Sequence, residues 1–188
     1  VESTARITGL VNKMLELSEI SSQVVLKRDD MVSAEYIAQL AVMASGIECA
    51  AHLEFELNMA PGAKTPFKTD LRSAVRIIEL LLDNAMKFTR PAEAYAVQLK
   101  TDKKERAVLT VSQADGQARF VIEDTGIGIP ARESERIFEE FVQLDEYYDG
   151  TGIGLAVARS LARRLDGDVA LDTSYTKGAR FVVTLAAS

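Results

Sequence analysis

Asn84 and Lys87 stand about one helical turn apart in an otherwise apolar stretch, Leu81-Leu82-Asp83-Asn84-Ala85-Met86-Lys87-Phe88. Ile77, Leu80, Asn84 and Lys87 recur at spacings of three and four, so a helix brings them to one side. Neither an amide nor an ammonium is cheap to bury without a partner. Asn84 offers an oxygen suited to a hard cation such as Mg2+, and Lys87 offers a point charge for phosphate. Taken alone, the pair reads equally well as two solvated residues at a helix edge.

Two glycine-rich segments follow. Asp124-Thr125-Gly126-Ile127-Gly128-Ile129-Pro130 comes directly after an apolar strand pattern. Its alternate glycines permit close backbone approach to a flat ligand, and Asp124 can accept from an exocyclic amine. By itself Gly-x-Gly is also what a tight turn looks like. Gly150-Thr151-Gly152-Ile153-Gly154-Leu155 leads into a helix pattern. A glycine-rich loop running into a helix N-terminus presents unpaired amides and the positive dipole end to an anion. No Gly-Lys-Ser/Thr follows, and the position is late in the chain, so neither a P-loop nor a dinucleotide-binding fingerprint fits. A flexible linker is the plainer alternative, though it would not open an amphipathic helix so cleanly.

The elements that position these segments are legible in outline. Residues 1–26 form one unit, read as a lone amphipathic helix over 1–23 with Ile7, Leu10, Val11, Met14 and Leu15 on its stripe. Residues 27–188 form a second. In it, Ile37, Leu40, Ala41, Ala44 and Ile47 keep helical spacing, with Gly46 near the end. Leu53, Phe55, Leu57 and Met59 alternate as a strand closed by Pro61-Gly62. Asp70 is a good N-cap for a long helix with Leu71, Ala74, Val75, Ile78, Leu82 and Ala85 inward, ending by Arg90 because Pro91 follows. Tyr95, Val97 and Leu99 suggest a strand, and Lys100 to Arg106 a solvated loop tip. Val108 to Val111 and Phe120 to Ile122 flank an Asp115-Gly116 hairpin turn. A helix over 153–165 and two closing strands, Val169 with Leu171 and Phe181 to Leu185, complete an α+β layer. The fold expected is a two-layer α/β sandwich whose mixed, mostly antiparallel sheet carries helices on one face.

Composition narrows the chemistry. The 188 residues are 47% hydrophobic, enough for a sizeable core, and carry a net charge of −6. With no basic face, nucleic acid is a poor partner. Cys49 and His52 are the sole cysteine and histidine, which leaves no disulfide framework, no multi-histidine zinc site and no triad needing a second imidazole. A reducing, cytoplasmic setting fits, and no apolar run reaches the roughly 20 residues of a membrane span.

In order and spacing the three segments resemble the N, G1 and G2 boxes of the superfamily uniting histidine kinases, gyrase-type topoisomerases, mismatch-repair ATPases and a heat-shock chaperone. Ile137-Phe138-Glu139-Glu140-Phe141 looks like the F box of sensor histidine kinases, and reads as a helix seated on the core by its aromatics. Lys177-Gly178-Ala179-Arg180-Phe181 is similar to the last glycine box, so the resemblance covers 27–185. It implies the ATP-binding catalytic domain of such a kinase, with a Bergerat-type fold and ATP and Mg2+ as cofactors. By resemblance Asp124 would receive the adenine amine, while Gly126, Gly128 and Ile129 would line base and ribose. Asn84 would hold Mg2+, Lys87 would meet phosphate, and Thr151, Gly152, Gly154 and Leu155 would approach the phosphates. The lid would span 142–149, with Asp145, Glu146 and Asp149 but no Lys or Arg, and with Gln143 where many relatives are basic.

Leu80 departs from the family pattern, standing where histidine kinases carry a second Asn and the hydrolytic relatives a general-base Glu. Glu79 points about 100° away around the helix and is a poor substitute. A phosphotransferase is therefore expected rather than an ATPase. His52 lacks the setting of a phosphorylation site, so the acceptor is expected upstream, with residues 1–26 ending the second helix of a dimerising phosphoacceptor hairpin. The other implied partner is a response-regulator receiver domain, and the chain itself is expected in the cytoplasmic portion of a membrane-anchored bacterial sensor. A chaperone- or topoisomerase-like machine, an anti-sigma-type serine kinase and a degenerate pocket used for protein contacts are the competing readings.

Overall fold

The computed structural model describes residues 28–89, 105–139 and 154–187. The predicted leading helix over 1–23, the strand at Tyr95, the lid, Thr151 and Gly152 lie outside the described residues, as does Phe141.

The chain enters through β1 (Asp30–Ser33), which runs directly into α1 (Ala34–Ser45). Ser33 caps this helix, its hydroxyl accepting from the Tyr36 amide at 3.1 Å. Gly46 ends it in the left-handed conformation, φ 70°, with its amide on the Val42 carbonyl. Strand β2 (Leu53–Met59) and a single 3-10 turn at Pro61–Lys64 lead to β3 (Pro66–Thr69). β3 pairs antiparallel with β1, a two-stranded ribbon for which the sequence offers no alternation long enough to read.

The central element is α2 (Leu71–Thr89). Asp70 accepts from the Ser73 amide at 3.3 Å, as an N-cap should, and Asp30 arrives from β1 to accept from the Leu71 amide at 2.9 Å. Two carboxylates thus face the positive end of the helix. α2 lies between α1 and α3 (Gly154–Arg164) and presses on the sheet. Ile77, Ile78, Leu81 and Leu82 are fully enclosed, each contributing about 1.5–3 kcal/mol of burial.

The main sheet comprises β2, β4 (Glu105–Ala114), β5 (Gln117–Asp124), β7 (Arg180–Ala186) and β6 (Asp168–Leu171), in that order. β2 runs parallel to β4, and every other pairing is antiparallel. The predicted hairpin turn is present, with Asp115 and Gly116 at φ 53° and 75°. Leu109, Val111, Phe120, Ile122, Phe181, Val183 and Leu185 face the helices and are buried. Val108, Thr110, Val121, Glu123, Val182 and Thr184 alternate with them on the open face. This is the expected two-layer α+β sandwich.

Two expectations are corrected. Glu105 and Arg106 are not loop tip but the first residues of β4, where Arg106 meets Glu56 of the neighbouring strand at 2.5 Å. Ile137 and Phe138 do seat the F-box segment on the core, but through a single 3-10 turn, Arg136–Phe138, rather than an α-helix. The Phe138 ring meets Phe181 edge-on at 6.3 Å, and the Arg159 guanidinium lies 4.3 Å above it, linked also to Glu135 and Asp168. Those side-chain contacts hold the turn without a helical ladder.

Candidate functional site

Asp124 is the last residue of β5 and points to the helix-covered face, 2% exposed. Its Oδ1 accepts from the Gly126 amide at 2.9 Å and the Ala179 amide at 3.3 Å. No described group donates to Oδ2. Burial pushes its pKa from 3.8 to about 6, against the pull of those two amides and with a small further push from Glu105. A desolvated carboxylate with no counter-charge among the described residues suits a neutral donor such as an exocyclic amine.

The glycines around it are required by contact. A Cβ on Gly126 would lie 2.4 Å from the Phe88 carbonyl, and one on Gly178 would lie 1.9 Å from the Asp124 carbonyl. The loop after β5 therefore packs backbone to backbone against the end of α2 and against the glycine box before β7. Ile127 confirms the first contact, its amide pointing at the Phe88 carbonyl at 3.4 Å. Gly128, at φ 76°, abuts Gly178, while Ile129 is half-buried against the core.

These contacts bring the first glycine loop to the last two turns of α2, which carry the other predicted pair. Asn84 and Lys87 are both half-exposed there. The Asn84 Nδ2 is buried and has no hydrogen-bond partner among the described residues. Native interiors leave few such atoms unpaired, and the two ends of an amide are alike in shape. An unpartnered amide at this place fits a phosphate oxygen and, turned over, a hard cation. Lys87 makes no ion pair with a described residue. Leu80 is 2% exposed and belongs to the core, so it presents no polar atom at all, and Glu79 is occupied by Arg76 at 3.2 Å. Gly154 and Leu155 begin α3, which lies alongside α2 in the same layer as Asn84.

Two residues that sequence reasoning did not use as site residues support this arrangement. His52 Nε2 lies 3.1 Å from the Met86 carbonyl and 3.2 Å from Thr89 Oγ1, and Thr89 Oγ1 in turn donates to the Ala85 carbonyl. The sole histidine thus ties the start of β2 to the open carbonyls at the C-terminus of α2. Replacing it with Ala should cost about 1–2 kcal/mol in urea unfolding, and His52→Gln, which keeps a donor, should recover most of that. The second is Tyr175, whose hydroxyl donates to the Asp124 carbonyl at 3.0 Å. Burial, then the charges of Glu123 and Asp124, raise its pKa and keep that proton in place. A lone Tyr in a polar loop carries no sequence signal for either contact.

A buried acceptor thus ends a central strand, and the glycine loop after it packs onto the helix layer that carries Asn84 and Lys87. The chain belongs to the family described as histidine kinase-, DNA gyrase B-, and HSP90-like ATPases, whose model matches residues 69–188. Its curated relatives are sensor histidine kinases. It is 29% identical over 97% of its length to the circadian input-output histidine kinase CikA of Synechococcus elongatus, and 32% identical over 68% to the aerobic respiration control sensor protein ArcB of Escherichia coli. The chain spans only 23% and 16% of those two proteins. Among solved structures, full-length ShkA in complex with AMPPNP superposes with a TM-score of 0.78 at 27% identity, over all of this chain and 37% of that one. The mycobacterial sensor histidine kinase MprB shares the fold, with a TM-score of 0.67 at 23% identity over 84% of this chain and 97% of that one. The domain is therefore the ATPase-type catalytic domain of the histidine kinase branch.

Proposed function

We propose that the chain holds Mg-ATP between the end of β5 and the last two turns of α2, and donates the γ-phosphate to a histidine on a separate helix. The observation that carries this reading is Asp124, a buried carboxylate whose Oδ2 accepts from no described residue while backbone amides fix Oδ1. Adenine supplies the missing donor through its exocyclic amine. ATP in turn accounts for the Asn84 amide nitrogen, which is buried without a hydrogen-bond partner among the described residues, and gives Lys87 a phosphate to meet. The described residues include no group of three or more His, Cys, Asp or Glu able to cage a metal, which suits a Mg2+ held by Asn84 and substrate phosphates. Thr151, Gly152, Gly154 and Leu155 are assigned to the phosphate end, and Gly126, Gly128 and Ile129 to base and ribose.

A histidine acceptor outside this chain is supported by His52, whose Nε2 is engaged with α2 rather than presented to the pocket. The partners assigned are the phosphoacceptor helix of the same kinase, in its dimer, and a receiver domain whose aspartate takes the phosphate on. No described helix is long and apolar enough to cross a membrane, and we assign the domain to the cytoplasmic side of a sensor. Leu80 separates this reading from an ATP-driven machine, because a core leucine cannot activate water.

The test uses radiolabelled ATP with Mg2+. The full-length parent should gain acid-labile phosphate on a histidine, whereas this chain alone should bind ATP in calorimetry, gain no label and release no phosphate steadily. Steady turnover by the isolated chain would establish the hydrolytic reading instead, and label on His52 would place the acceptor in cis.

A further inference from the structure

The strands β5 and β7 part company at Asp124, and the way their hydrogen bonds are rerouted there gives Tyr175 a role. The Asp124 amide donates to the Ala179 carbonyl at 2.9 Å, as an antiparallel ladder requires. The reciprocal bond, from the Ala179 amide to the Asp124 carbonyl, is not made. That amide turns instead to the Asp124 carboxylate, at 3.3 Å. The carbonyl so released lies against Gly178 and receives the Tyr175 hydroxyl at 3.0 Å.

Tyr175 is itself held. Asp172 turns the chain after β6 by accepting from the Ser174 amide at 3.0 Å and its hydroxyl at 2.6 Å. Arg180 spans Glu123 at 2.6 Å and Asp172 at 3.3 Å, and its guanidinium lies 4.3 Å over the Tyr175 ring. A charge network on the open face of the sheet therefore fixes the ring, and the ring delivers a proton to the strand end.

We propose that Tyr175 is the positioning residue that sets purine selectivity: by occupying the Asp124 carbonyl it frees the Ala179 amide to lock the carboxylate in the orientation that reads an amino group. Without the hydroxyl, the carbonyl is left without that donor, and the Ala179 amide, its partner by ladder register, can take the place. It returns to the ladder, and the carboxylate keeps only the Gly126 amide. The consequence falls on the base contact alone, since Asn84, Lys87 and the phosphate end are untouched.

The inference rests on the nucleotide reading above, and the test separates the two. Tyr175→Phe keeps the ring, its packing and the Arg180 contact, and removes one oxygen. Calorimetric Kd values are measured for ATP and for ITP, whose base has a carbonyl in place of the exocyclic amine, with unaltered chain and variant. We expect the variant to bind ATP roughly 10-fold more weakly, the loss of one hydrogen bond to a charged group, and ITP within about twofold of the unaltered chain. The ATP-to-ITP preference then collapses. A general loosening of the loop would weaken both nucleotides alike, and that result, or an unchanged ATP affinity, would overturn the role given to Tyr175 while leaving the pocket in place. Failure of the unaltered chain to bind ATP would overturn the pocket and this role with it. Tyr175→Leu, which removes ring and hydroxyl together, should lower the ATP preference at least as far; a preserved preference there counts equally against the proposal.

Discussion

Asp124→Asn is expected to abolish adenine-nucleotide binding and, at neutral pH, to make the nucleotide-free domain more stable. Both effects have one origin. The carboxylate is 2% exposed, and burial raises its pKa from 3.8 to about 6. Because the folded value is the higher one, the associated stability is present in full below about 3.8 and is lost as pH rises through 6. The penalty at pH 7 corresponds to about 3 kcal/mol at most. Asparagine removes it while its Oδ1 still accepts from the Gly126 and Ala179 amides, so the backbone around it has no reason to move. Its Nδ2 then sits where Oδ2 was. Facing adenine, that is donor against donor, a clash that costs an acceptor bond and leaves a polar group unpaired, roughly 100-fold or more in affinity.

The pH dependence gives a sharper check than the variant alone. In the unaltered chain, unfolding by urea should become harder as pH falls from 7 towards 4, provided other groups are subtracted by comparison with Asp124→Asn. The gap between the two proteins should close near pH 4. ATP affinity should move the other way, falling by up to tenfold per pH unit below about 6, as the acceptor becomes neutral. A stability difference that stays constant across this range would mean that the carboxylate is not the source.

Much of this was legible in the sequence, and the misses have physical reasons. Period-two alternation fixed Leu53 to Met59 and Phe120 to Ile122 as strands, because one face of each is solvated. The start of the long helix was placed correctly at Asp70, which acts through local chemistry. The β1–β3 ribbon was invisible because four-residue strands make their case through each other, across more than thirty residues of chain. The F-box segment misled because Ile137 and Phe141 are spaced like a helix, whereas what seats it is the Phe181 ring and Arg159, both remote in sequence. At the site, Asp124, Gly126, Gly128 and Asn84 were nominated from short motifs, since backbone approach and amide chemistry are local requirements. Tyr175 and His52 were not, because each acts on a carbonyl, and every residue has one.

Asn84→Ala is the complementary experiment, with function expected to fall and stability to hold. The Nδ2 is buried without a partner among the described residues, so the folded state bears a desolvated donor, a cost of about 1–3 kcal/mol. Removing the amide relieves that cost, and it offsets the packing lost at a half-exposed position; melting should stay within a few degrees or rise. Phosphotransfer in the full-length protein should drop by roughly 10²–10³-fold, the usual consequence of deleting one group aimed at a transferring phosphate or its metal. Asn84→Asp then tells which end of the amide matters. It keeps an oxygen for a cation but brings a second negative charge to the phosphates. If Asn84 serves the metal, the Asp variant should bind ATP better as Mg2+ is raised and recover part of the activity. If it serves a phosphate oxygen through Nδ2, the Asp variant should be worse than Ala at every Mg2+ concentration. A destabilised Asn84→Ala protein would show instead that the amide is satisfied within the fold, and that the empty partner position belongs to no ligand.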